Sequence, residues 1–242
     1  DEKVSAFISV KEFNDDHFVV MATEKGIVKK TKLSAYSNPR KKGIYAVEIR
    51  EGDKLIEARV STGDNDILLG TRNGKSIRFS EEQIRASGRK TMGVKGITLS
   101  SEDDRLVGML LIKREGTTVL VATEKGFGKR TEISQYRAQK RGGKGVLTMK
   151  TTEKVGKMVT IKEVVDKDDL MIITNQGVLI RQPVAQIRAI GRATQGVKLI
   201  KLGEGTLVSS ITRIMTEEDD QNEGPSENNN DNDNTKTEET AS

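Results

Sequence analysis

VLVATEKGFGKR, residues 119–130, reads as an apolar run, a threonine, two polar residues, a glycine and a second strand-like run. The same order recurs as VVMATEKGIVKK at 19–30, ILLGTRNGKSIR at 67–78 and MIITNQGVLIR at 171–181. A polar-glycine pair between two β-rich runs predicts a tight two-residue hairpin, because such turns need positive φ and glycine adopts it freely. The four glycines, Gly26, Gly74, Gly126 and Gly177, lie 48, 52 and 51 residues apart. A fixed period near 50 marks a repeat architecture.

A second glycine follows each hairpin. Gly93, Gly145 and Gly196 lie 19 residues beyond their hairpin glycine, and Gly43 lies 17 beyond. Each opens or precedes an apolar run: GIYAVEI, GVKGITL, GVLTMK and GVKLIKL. A third strand type recurs as KLIEARVS (54–61), RLVGMLLI (105–112), KVGKMVTI (154–161) and TLVSSITR (206–213), with a fifth copy, KVSAFISV, at 3–10. Four predicted strands per unit, β-branched runs and no sustained 3.6-residue period point to an all-β, propeller-like array of four-stranded blades, about four repeats of roughly 50 residues. The best helical candidate is SEEQIR (80–85), one or two turns with Ser80 as N-cap. Five third-type strands against four hairpins, and a chain that opens on Asp1, suggest a piece of a longer protein.

The formal charge of +5 over 242 residues hides a split. Residues 216–242 hold ten acids and a single Lys, with no large apolar residue, and read as a disordered acidic tail. Residues 1–215 then carry 40 Lys+Arg against 26 Asp+Glu. The loops between the paired glycines (27–42, 75–92, 127–144 and 178–195) hold 6, 5, 6 and 3 basic residues and only three acids, Glu81, Glu82 and Glu132. The whole positive excess therefore occupies one recurring position. In a circular or arc-like array such positions align as a basic stripe, the match for a phosphate backbone. Aromatics are 3% of the chain, too few for a base-stacking surface, so the stripe favours duplex over single strands. An acidic protein partner docked on a propeller-like scaffold is the other class of reading. The tail, at net −9, is a natural competitor for the same stripe.

Catalytic constellations are missing from the sequence. There is no Cys and one His, His17, in the turn-like NDDH. RGGKG fails the Walker pattern, because Gly145 stands where Ser or Thr is required and Ala138 where the first Gly is required. GFGKRT fails the dinucleotide fingerprint. The acidic EDD (102–104) and DKDD (166–169) lack a spaced ligand set and read as solvated turns. Tyr36 and Tyr136 align with Ile84 and Ile187, which marks a core position rather than a nucleophile. The apolar runs are too short to span a membrane as a helix.

The repeats, QKRGGKG (139–145), IRASGRKTMGVKGI (84–97) and IRAIGRATQGVKLIKL (187–202) together resemble the C-terminal domain of the A subunit of bacterial DNA gyrase, over essentially all of residues 1–215. The resemblance implies a β-pinwheel, here its last four blades, whose basic rim wraps duplex DNA. It also implies a bacterial, cytoplasmic, chromosome-associated setting and an A2B2 assembly of the whole A subunit with the B subunit. ATP and Mg2+ act elsewhere in that holoenzyme, and this chain needs no cofactor or metal. The cleavage tyrosine lies in a part of the A subunit outside this chain, which is no enzyme by itself but serves ATP-dependent negative supercoiling. The C-terminal domain of topoisomerase IV, which shares the pinwheel, is the near alternative. QKRGGKG matches the family's box heptad with Lys140 in place of Arg. Its place in the third recognisable unit leaves open the box itself or a box-like loop of a later blade. The expected DNA contacts are Gln139, Lys140, Arg141, Gly142, Gly143, Lys144 and Gly145 of the heptad, with Arg137, Lys129 and Arg130 before it. In the equivalent loops they are Lys29, Lys30, Lys32, Arg40, Lys41, Lys42, Arg78, Arg85, Arg89, Lys90, Arg181, Arg188 and Arg192.

Overall fold

The computed structural model describes residues 4–113 and 116–214. The acidic segment 216–242 lies outside them. The first unit contributes β1 (Phe18–Thr23), β2 (Ile27–Lys32) and β3 (Leu55–Ser61). The second contributes β4 (Asp66–Thr71), β5 (Lys75–Ser80), β6 (Val94–Lys95) and β7 (Leu106–Ile112). The third contributes β8 (Thr118–Thr123), β9 (Phe127–Glu132), β10 (Val146–Leu147) and β11 (Met158–Val164). The fourth contributes β12 (Asp169–Thr174), β13 (Leu179–Pro183), β14 (Val197–Lys198) and β15 (Val208–Ile214).

Each repeat starts with the expected hairpin, but the turn is longer than two residues: three residues separate the strands in the first three units and four in the last. In the first unit Glu24, Lys25 and Gly26 form it, and the Gly26 N–H donates to Thr23 O at 3.0 Å. Gly26 has φ of +82°, and Gly74, Gly126 and Gly177 repeat that left-handed geometry. The glycine thus closes the turn, the placement seen in hairpins that end on a left-handed residue. The recurrent threonine braces the same turn, since Thr23, Thr71 and Thr174 each accept, through Oγ1, the N–H four residues on.

Strand order shows what repeat spacing alone did not. The sheets run β3-β1-β2-β6, β7-β4-β5-β10, β11-β8-β9-β14 and β15-β12-β13. The short strand opened by the second glycine leaves its own unit and completes the sheet of the unit before it. Val94 pairs with Val28, Val146 with Ser76 and Val197 with Gly128. β3, β7, β11 and β15 adjoin one another in succession and form the inner side of the array. The lent strands therefore lie at the outer edge.

Two expected strands are not formed. KVSAFISV has no strand partner among the described residues, and Val4 and Phe7 are 89% exposed, though Ile8 and Val10 pack against Val19 and Met21. GIYAVEI is likewise irregular, with Tyr45 75% exposed. SEEQIR forms a single 3-10 turn, Glu81–Gln83, whose N-cap Ser80 accepts the Glu82 N–H.

Both faces of the middle sheets are buried. Ile67, Leu69, Ile77 and Phe79 join Val20, Ala22 and Val28 between the first and second blades. Leu68 and Leu110 face the other way and meet Val121, Tyr136, Met158 and Ile161 of the third. Leu120, Leu170, Ile172 and Ile211 fill the last boundary. Alternate residues of one strand thus serve two interfaces, as the strand's period of two requires. Full burial of each such side chain contributes about 1.5–3 kcal/mol. Tyr136, Ile84 and Ile187 are buried and Tyr36 half-buried, in keeping with a core position.

Candidate nucleic-acid interface

The long loops of the second, third and fourth units each cross onto the second strand of the preceding blade before lending their short strand. The Ser87 N–H donates to Lys30 O at 2.9 Å, Gln139 N–H to Arg78 O at 2.8 Å and Ile190 N–H to Arg130 O at 2.9 Å. The second glycine is where the backbones come closest. A Cβ on Gly145 would run into the Ser76 carbonyl, and Gly93 and Gly196 face Val28 and Gly128 in the same way. The fixed offset of 19 residues reflects this contact.

The basic heptad is held more firmly than its glycines suggest. Gly142 N–H donates to Gly96 O at 2.8 Å, and Thr98 returns bonds to Gly143 O at 2.9 Å and Gly142 O at 2.7 Å. The Arg141 N–H donates to Gln83 Oε1 at 2.8 Å, and its guanidinium reaches Gln83 O at 3.2 Å and Lys95 O at 2.5 Å. Lys95 belongs to a strand that completes the first sheet. One loop of the third unit therefore binds the second unit where that unit lies on the first.

The expected DNA contacts fall into three groups. Lys30, Arg78, Arg130 and Arg181 stand four residues beyond the hairpin glycine, and each has a carboxylate of its own chain. Lys30 meets Glu81 at 3.4 Å, Arg78 meets Asp66 and Arg181 meets Asp169 at 2.6 Å, and Arg130 pairs with Asp166. Their charge is balanced within the fold. Lys30 and Arg130 are also buried, so both stand apart from the rim. The acidic loops, read from sequence as solvated turns, are partly tied into the fold, although Glu102 and Asp103 do face solvent. Asp166 and Asp169 supply two of the ion pairs, and buried Asp104 accepts the Asn73 N–H at 2.9 Å and the Ser100 hydroxyl at 2.6 Å.

Lys29 and Lys129 form the second group and are fully buried. The Lys29 ammonium donates to Ala46 O at 2.9 Å and to Arg89 O. Lys129 donates to Gly191 O at 2.6 Å, to Arg192 O and to Thr194 Oγ1 at 3.1 Å. Burial, and after it the nearby Arg89 or Arg192, lowers each to about 8.

The third group faces solvent: Lys32, Arg40, Lys41, Lys42, Arg85, Lys90, Arg137, Lys140, Lys144 and Arg188. Lys32 has a surface partner in Asp15 at 3.5 Å. Arg89, Arg141 and Arg192 are half-buried. Arg89 donates to Tyr45 O at 3.4 Å, and Arg192 donates to Leu147 O at 2.9 Å and lies 6.0 Å from the Tyr136 ring centre. Gln139, Gly142, Gly143 and Gly145 are half-buried too. Sequence reasoning missed Lys95 and Lys198, exposed on the outermost strands β6 and β14, because it stopped each window at the second glycine. Their signal was the shared GVK. Outside the rim, His17 bonds Asn14 Oδ1 through its own backbone N–H at 3.0 Å and through Nδ1 at 2.8 Å.

Four blades in sequence order, the first three each completed at the outer edge by the next, define a propeller of the pinwheel kind. The family model described as DNA gyrase C-terminal domain, beta-propeller, matches residues 17–62, 65–113, 117–164 and 168–214, one match per blade, and the chain belongs to that family. The DNA gyrase A protein of Staphylococcus epidermidis is 46% identical over 221 residues, covering 90% of this chain. That of Staphylococcus aureus (strain MRSA252) is 45% identical over 225 residues, covering 92%. The chain spans 25% of the length of each. Among solved structures, the C-terminal domain of DNA topoisomerase IV aligns with a TM-score of 0.81 at 24% identity, over 86% of this chain and 64% of that one. A DNA gyrase A C-terminal domain aligns with a TM-score of 0.77 at 22% identity, over 87% and 70%. At these identities the likeness is one of fold.

Proposed function

We propose that this domain binds duplex DNA and wraps it along the outer edge of its blades. One observation carries the reading. Lys29, Lys30, Arg78, Lys129, Arg130 and Arg181 of the hairpin strands are buried or matched with carboxylates, while most cations of the long loops, with Lys95 and Lys198 of the lent strands, face solvent at one recurring place in the array. Phosphates neutralised there release counterions, so binding is strong in low salt and weakens steeply as salt rises. Among the described residues no side-chain set for base reading stands out, so sequence preference arises from how readily the duplex bends.

The domain acts as a non-catalytic part of the gyrase A protein, in an A2B2 enzyme of the bacterial cytoplasm that uses ATP and Mg2+ at other sites. The family match and the 46% identity to gyrase A relatives favour this over topoisomerase IV. The chain itself needs no cofactor.

The test has two arms. Anisotropy titrations with duplexes of increasing length should give salt-sensitive affinity that grows with length. Closed-circular DNA relaxed by a nicking-closing enzyme with the domain bound should keep a shifted linking number after protein removal. Binding that ignores duplex length, with no linking-number shift, overturns wrapping. No binding in low salt overturns the DNA reading and favours a scaffold for an acidic protein.

A further inference from the structure

Blades of two kinds alternate. Three residues beyond the hairpin glycine stand Lys29, Ile77, Lys129 and Ile180, and ten beyond stand Tyr36, Ile84, Tyr136 and Ile187. Odd blades therefore carry a buried Lys with a Tyr, and even blades carry two isoleucines. The loops differ to match. The loops that cross onto odd blades are SGRKT (87–91) and IGRAT (190–194), and in each the carbonyl of the Arg accepts from the buried ammonium, joined in the second by that of Gly191. The loop that crosses onto an even blade is the heptad, which meets Ile77 instead and is held by its own Arg141.

We propose that Lys29 and Lys129 are positioning residues for the Arg-bearing loop of the next unit, and that a phosphate neutralising Arg89 or Arg192 is felt at the buried ammonium beneath. The inference rests on the DNA-binding reading. Three acceptors surround Lys129, matching the three N–H groups of an ammonium, and a neutral amine has only two to give. The charged groups facing each site are few. From the crossing loop they are Arg89 over Lys29 and Arg192 over Lys129. From the same blade they are Tyr36 and Tyr136, which burial pushes up, so that both stay neutral as the lysines titrate. Repulsion from the arginine helps to hold each lysine near 8. A phosphate on that arginine cancels the repulsion and draws a proton onto the lysine.

Binding should therefore take up protons, and affinity should fall as pH rises through the free-state value near 8. Titration calorimetry of the whole chain with a long duplex at pH 8, in buffers of differing ionisation enthalpy, counts them. Uptake of up to about half a proton per lysine, about one in all, is expected. Lys129→Met should halve the uptake, and adding Lys29→Met should abolish it. Lys129→Arg keeps a charged donor without titrating, so binding should persist at about half the uptake. Arg192→Gln removes the coupled charge and should also lower uptake; it stands in if Lys129→Met fails to fold. Tight binding with no buffer-dependent heat, or equal uptake in wild type and the Lys29/Lys129 double variant, overturns the coupling. Failure of the wild type to bind in low salt overturns the DNA reading beneath it.

Discussion

Lys30 of the first blade and Glu81 of the second form a buried ion pair, Nζ to Oε1 3.4 Å, with the Ser61 hydroxyl donating to the same carboxylate oxygen at 2.6 Å and Asn65 Nδ2 donating to Oε2 at 3.2 Å. The pair joins two sheets that share no ladder through these strands. Removing one partner leaves a charge without a counterpart in the interior. Glu81→Ala is expected to cost about 3–5 kcal/mol, read in urea unfolding. The Lys30→Met, Glu81→Leu double variant should recover much of that loss. A single variant as stable as wild type would show that the pair is dispensable.

The cations of the heptad should separate by role. Lys140 and Lys144 face solvent, so Lys140→Ala with Lys144→Ala should flatten the slope of log affinity against log salt by about one to two, at roughly 0.9 per phosphate. Arg130→Met should leave the slope unchanged and lower stability, because Arg130 is buried against Asp166 and Ile187 O. Equal slope changes for both variants would reject the division.

Gly145 combines two constraints that Gly205 separates. Both have left-handed φ, +68° and +71°. A Cβ on Gly205 meets nothing within 4 Å, whereas one on Gly145 meets the Ser76 backbone. Gly205→Ala should cost about 1–2 kcal/mol, the left-handed penalty alone. Gly145→Ala should cost distinctly more and detach β10. Thermal melts of the two variants decide it, and equal shifts would deny the close approach.

The buried lysines give stability a pH dependence opposite in sign to that of DNA affinity. Folded Lys29 and Lys129 titrate near 8, below the ordinary value of 10.5. Between those values the unfolded chain holds protons that the folded chain has released, so stability rises with pH. Chemical unfolding at pH 7.5, 9 and 10 should show the rise in wild type, and a smaller one in Lys129→Met. A flat or falling profile would contradict it.

Hairpins, period and basic loops were legible in the sequence because each depends on neighbours along the chain. A left-handed turn needs a glycine at one place, and that place recurs. Where the short strands dock was not legible. GVK announces a strand at 93–95 but does not name Ile27 and Val28 as its partners, which lie in another unit. KVSAFISV shows the converse, a strand-like pattern without a neighbour to pair with among the described residues. The fates of the cations were hidden for a similar reason. Lys29, Lys30 and Lys32 look alike in sequence. The first is caged by carbonyls, the second meets Glu81, and the third reaches only a surface aspartate. Adjacent residues point to opposite faces, and in a stacked array both faces are interior.

The lending of strands also sets an order of assembly. Val94 follows Lys32 by 62 residues, Val146 follows Ser80 by 66 and Val197 follows Glu132 by 65. As the chain leaves the ribosome, none of the first three blades can be finished until most of the next has emerged. Each open edge waits for one designated strand still being made. Synthesis thus moves a single unsealed edge along the nascent chain.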